Sequence, residues 1–108
     1  MTKDAADSDP VVRQLREQIS DNDRAIVEAI NKRLKLVERL WRYKAQRGYD
    51  IMAPEREGWM LSYLSRANRG PLSGGGLREI YAALLDLTKR EVATEAEGRD
   101  EQAEAAGG

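Results

Sequence analysis

From Val11 to Arg47 the chain runs for 37 residues without a proline or a glycine. Asp9-Pro10 stands immediately before this stretch. Aspartate is a favoured N-cap, and proline suits the first helical position, where its missing N–H is not needed. Gly48 follows as the first plausible C-cap. The stretch predicts one helix of about 55 Å at 1.5 Å per residue, where an average helix has about 11–12 residues. Positions spaced alternately by four and three from Val12 form a seam: Val12, Arg16, Ile19, Asp23, Ile26, Ile30, Arg33, Val37, Leu40 and Lys44. Six of these ten are aliphatic, and Leu15, Val27, Leu34, Leu36 and Trp41 widen the apolar stripe. Two shorter helices read downstream. One starts at Ala53-Pro54 and is stopped by Asn68-Arg69-Gly70-Pro71. The other is opened by Ser73, is weakened by Gly74, Gly75 and Gly76, and is strong from Leu77 to about Thr94. No segment alternates as a strand does. The expected fold is all-α, with three helices and a first helix about twice as long as the others. Two helices of half its length cannot cover its stripe. The long helix is therefore expected to pack against its own copy, antiparallel, in a homodimer.

A chain of 108 residues is one domain with a marginal core, which also favours association. It has no Cys and no His. That excludes disulfides, thiol nucleophiles, Cys/His zinc sites and histidine acid–base chemistry. No metal site or cofactor is expected. No apolar run is long enough to span a membrane, and MTKDAADSDP lacks the apolar stretch of a secretory signal, so a cytoplasmic protein is expected. Charge is uneven. Residues 1–9 set Lys3 against Asp4, Asp7 and Asp9, net −2; residues 95–108 set Arg99 against Glu95, Glu97, Asp100, Glu101 and Glu104, net −4. With a whole-chain charge of −1, the body between them carries +5. The two acidic ends are expected to be disordered tails flanking one domain over residues 10–94. A basic body points to an anionic partner. Nucleic acid fits poorly, because the cations fall on the apolar seam and not on one solvated stripe.

Arg16, Arg33 and Lys44 on that seam are anomalous, since a buried cation needs an anion or water beside it. They either pair with acids of a partner helix, keep their heads in water by extending their stems, or line a cationic pocket that takes an anionic ligand. Arg33 and Lys44 are eleven residues apart, about 16 Å along one face, so both can converge on one small molecule. Arg16 is about 25 Å from Arg33, too far to share that molecule from the same helix. In an antiparallel dimer the Arg16 of one chain can serve the site of the other, giving two shared sites. A second cluster, Pro54-Glu55-Arg56-Glu57, opens the second helix, where acids also favour the helix dipole. Thr88, Lys89, Arg90, Glu91 and Val92 end the strong part of the third. Lys89 and Arg90 suit a helix C-terminus equally well. The triple glycine lacks the Lys and Ser/Thr of a phosphate loop and reads as a loop only.

Taken in order, Leu15-Arg16-Glu17-Gln18-Ile19-Ser20, Asn31-Lys32-Arg33, Tyr43-Lys44-Ala45, Pro54-Glu55-Arg56-Glu57, Asn68-Arg69-Gly70-Pro71 and Ile80-Tyr81 resemble the AroQ class of chorismate mutases over about residues 10–94. The resemblance implies an intertwined all-helical homodimer with two active sites. It also implies the pericyclic rearrangement of chorismate to prephenate, the branch step toward Phe and Tyr, with no cofactor. Catalysis is then positioning plus electrostatics on a flexible dianion. By the same resemblance Arg16 is given to a substrate carboxylate by the partner subunit, and Arg33 binds a carboxylate within the site. Lys44 hydrogen-bonds the ether oxygen and a carboxylate, and Arg56 and Glu57 form an Arg-Glu pair in which Glu57 receives the ring hydroxyl. Ala53 stands where the family often has Asp, and Thr88 stands at a serine-like position. Val92 falls where a Gln or Glu usually touches the ether oxygen; Glu91 lies one residue away. The alternatives to this reading are a family relative acting on amino-deoxychorismate or isochorismate, and a non-catalytic helical regulatory dimer; an activating partner enzyme is a further expectation.

Overall fold

The structure is a computed structural model that describes the backbone of residues 2–107 and the side chains of residues 5–93. Four helices follow one another: α1 Thr2–Ser8, α2 Pro10–Arg47, α3 Pro54–Ala67 and α4 Gly74–Gly107. No strand occurs among the described residues. The count exceeds the expected three because residues 2–8, read from composition as disordered, form a short helix. Asp9 separates it from α2 by ending one helix and starting the next. Its N–H donates to the Ala6 carbonyl at 3.1 Å, while its Oδ1 accepts from Val11 N–H at 2.9 Å and its carbonyl from Arg13 N–H at 3.0 Å. This is an N-cap with proline at the first helical position, as Asp9-Pro10 foretells.

The chain divides into two compact units, Met1–Lys35 and Leu36–Gly108. The first holds α1 and the N-terminal part of α2; the second holds the rest of α2 with α3 and α4. Helix α2 has the expected bounds at 38 residues and buries none of its side chains. It ends at Gly48, whose φ of +72° places it in the left-handed region. Tyr49 N–H donates to the Lys44 carbonyl at 2.9 Å and Gly48 N–H to the Ala45 carbonyl at 3.3 Å. These two bonds close the helix in a Schellman motif.

In the second unit the core lies between α3 and α4. The inward stripe of α3 is Glu57, Met60, Leu61 and Leu64, continued by the C-cap residue Asn68, and that of α4 is Leu77, Tyr81, Leu84, Leu85, Thr88 and Val92. Both follow the helical period. Leu77, Thr88 and Val92 are the most deeply buried. The connection is tied by Asn68, whose Oδ1 accepts from Gly70 N–H at 3.0 Å and whose Nδ2 donates to the Leu72 carbonyl at 2.8 Å. Gly70 supplies the left-handed residue with φ +77°, and its peptide bond to Pro71 is cis. Ser73 then caps α4, its Oγ accepting from Gly76 N–H at 3.0 Å. A good cap lets α4 begin within the triple glycine, three residues before the strong helix formers. The backbone of α4 runs past Thr94 to Gly107 through a run rich in Ala and Glu, both favourable in helices. The side chains of the acidic segment 95–108 lie outside the described residues.

Candidate active site

In the first unit Arg16 stands on an exposed face of α2, and its Nη1 meets Asp7 Oδ1 of α1 at 2.8 Å. Both side chains are more than half exposed, so the pair is weak and leaves the guanidinium available to a stronger anion. Arg33 is half-buried.

In the second unit Lys44 sits in the last turn of α2, half-buried, and its Nζ donates to the Ile51 carbonyl at 3.3 Å. The lysine thus also ties down the segment that leads into α3. Ala53 is the N-cap residue of α3, with φ −137° and no side-chain cap. Its carbonyl accepts from Arg56 N–H at 3.0 Å and Glu57 N–H at 3.3 Å. Pro54 follows at the first helical position, which sets the direction of the helix without a capping side chain. One turn on, Arg56 lies over the Trp59 ring with its guanidinium carbon 4.0 Å from the centroid. Trp59 in turn stacks on Tyr63, ring centroids 5.3 Å apart and planes 6° from parallel. Glu57 points to α4 and pairs with Lys89, Oε1 to Nζ 3.1 Å.

On α4, Thr88 is 4% exposed and its hydroxyl donates to the Leu84 carbonyl at 2.7 Å. Val92, one turn later on the same face, is 3% exposed, while Glu91 is exposed. The helix is unbroken through both residues. Glu57 is therefore brought against the Thr88–Val92 segment through Lys89, whereas Lys44 and Arg56 are held by neighbours of their own. Ammonium, guanidinium, carboxylate and hydroxyl are binding groups. The ammonium and guanidinium donate hydrogen bonds to an anion, and the carboxylate accepts from a hydroxyl.

Three partners escaped the sequence reading. Trp59 lies three residues after Arg56, a helical neighbour spacing that local reading can detect. Asp7 falls in a segment read only by its composition. Lys89 was seen as a helix-end cation; its pairing with Glu57 crosses two helices and has no local signal.

A family model for chorismate mutase type II matches residues 15–92. Comparison with curated proteins and with solved structures gives no match. The matched stretch starts one residue before Arg16 and ends on Val92, so it contains every candidate residue named above. It covers well over half of the chain. The chain belongs to the chorismate mutase type II family.

Proposed function

We propose that the protein is a chorismate mutase, rearranging chorismate to prephenate on the route to phenylalanine and tyrosine, at sites shared between two copies of the chain. The observation that carries this reading is the family match over residues 15–92, which takes in all of Arg16, Arg33, Lys44, Arg56, Glu57 and Thr88. In a pericyclic step no group needs to attack the substrate. The site has only to hold a flexible dianion in its compact reactive form and stabilise charge on the ether oxygen as its bond breaks. Arg33 binds one carboxylate, Arg16 of the partner subunit the other, and Lys44 the ether oxygen together with a carboxylate. Arg56 and Glu57 grip the ring side, with Glu57 accepting the hydroxyl. Ala53 contributes only backbone, and Thr88 contributes a hydroxyl. Val92 offers no donor, so Lys44 serves the ether oxygen alone.

Exposure along α2 supports the homodimer. Val11, Leu15, Ile19, Ile26, Val27, Leu36 and Leu40 are each between 49% and 61% exposed. Burying the remaining half of such side chains is worth on the order of 1 kcal/mol each. A second α2 carrying the same stripe provides the matching surface. The working location is the cytoplasm; no described helix is long and apolar enough to cross a membrane. An enzyme partner that raises activity fits a site lacking one donor.

Incubation with chorismate tests the reading. Its absorbance should fall, and acid should convert the product to phenylpyruvate. Turnover of amino-deoxychorismate or isochorismate, with chorismate left intact, contradicts it, as does no turnover of any of the three.

A further inference from the structure

Nothing in the family match singles out Lys89, yet it makes the described ion pair that joins α3 to α4. Its side chain is 40% exposed and that of Glu57 34%, whereas the Arg90–Asp86 pair on the same stretch of α4 is 69% and 73% exposed. Lys89 follows Thr88 directly and precedes Val92 by three residues, so it flanks the face those two bury. Glu57 has three side-chain torsions, and leaving them unrestrained when a ligand arrives costs ordering entropy. An ammonium at 3.1 Å restricts that freedom beforehand. A carboxylate has two oxygens and about four lone-pair sites. With Oε1 on Lys89, Oε2 still accepts from a hydroxyl.

We infer that Lys89 is a positioning residue: its ammonium holds the Glu57 carboxylate in the orientation in which Glu57 accepts the substrate's ring hydroxyl. The inference rests on the mutase reading above. Lys89 acts through Glu57, so its effect must disappear when Glu57 has no charge to hold. It must also fall mainly on KM, because the ring hydroxyl is bound alike in substrate and transition state.

The test is steady-state kinetics with chorismate on the full chain, for wild type, Lys89→Met, Lys89→Arg, Glu57→Gln, the Glu57→Gln/Lys89→Met double variant and Arg90→Met, with thermal melts of each. Lys89→Met is expected to raise KM about five- to tenfold with kcat within about twofold, the size of coupling that contacting residues show. Lys89→Arg should restore KM to within about twofold, since guanidinium also binds carboxylate. In the Glu57→Gln background Lys89→Met should change KM less than about twofold. Arg90→Met should leave kinetics unchanged. An active wild type with an unaffected Lys89→Met overturns the inference. So does a loss that persists in the Glu57→Gln background, an equal loss in Arg90→Met, which indicates overall charge, or a loss that follows the melting temperature. A wild type without chorismate turnover overturns the mutase reading itself, and this inference with it.

Discussion

A buried valine at position 92 is the residue that most limits the proposed chemistry. Val92 is 3% exposed beside Thr88, and Glu91 is turned to solvent on an unbroken helix. In the proposed mechanism the ether oxygen depends on Lys44 alone, and one preorganised donor is worth about 10²–10³ in kcat. Val92→Gln is therefore expected to raise kcat about tenfold or more. It should also lower the melting temperature, because an amide buried without its ligand costs about 1–3 kcal/mol. Glu91→Gln should change kcat by less than about twofold, as the residue faces water. A kcat unmoved by Val92→Gln contradicts a missing donor at that position. Asp7→Asn should alter the melting temperature and KM little, because its pair with Arg16 is exposed and such pairs are worth about 0–1 kcal/mol. A large drop in KM on that substitution indicates instead that Asp7 competes with substrate for Arg16. Arg16, Arg33 and Lys44 were legible as candidates because cations on an apolar seam conflict with simple burial. Lys89 was not, because its partner is a whole helix away.

Helices are the most legible level of this chain. Asp9-Pro10, Gly48, Ala53-Pro54, Asn68-Arg69-Gly70-Pro71 and Ser73 mark starts and stops that the structure reproduces within a residue or so, because caps and turn residues act locally. The start of the last helix was less legible: three glycines argue against helix, and the Ser73 cap overrides them. Helix α1 was missed because tail composition was weighed and Asp9 was read only forwards. Two glycines separate helix propensity from backbone strain. Gly48 has φ +72° with nothing within 4 Å of an added Cβ, so Gly48→Ala meets no clash and only the cost of the left-handed region. It should lower stability by about 1–2 kcal/mol in urea unfolding. Gly58 lies inside α3, also with open space, so Gly58→Ala should raise stability by about 0.5–1 kcal/mol. Opposite signs are required; a stabilising Gly48→Ala contradicts the Schellman end of α2.

At the scale of the whole molecule, α2 carries eight of the fourteen exposed large hydrophobic residues among the described ones. Val11, Leu15, Ile19, Ile26, Val27, Leu36 and Leu40 are about half exposed or more, while Val12, Ile30, Leu34 and Val37 are half-buried, and the proposed second copy bearing the same stripe would answer the exposed ones symmetrically. Sedimentation at micromolar concentration should give twice 12.1 kDa. A folded monomer there contradicts shared sites. The expectation of a partner rests on the length of the helix, since the two shorter helices read from the sequence do not cover 38 residues. Mixing variants tests the central claim, a dianion site completed by the second chain, most directly. Arg16→Ala and Arg33→Ala homodimers should each lose most chorismate mutase activity. After unfolding and refolding together, half of the dimers carry one of each chain, and each of these has one intact site of two. Activity should then return to about a quarter of wild type. No recovery in refolded, dimeric mixtures contradicts the shared site.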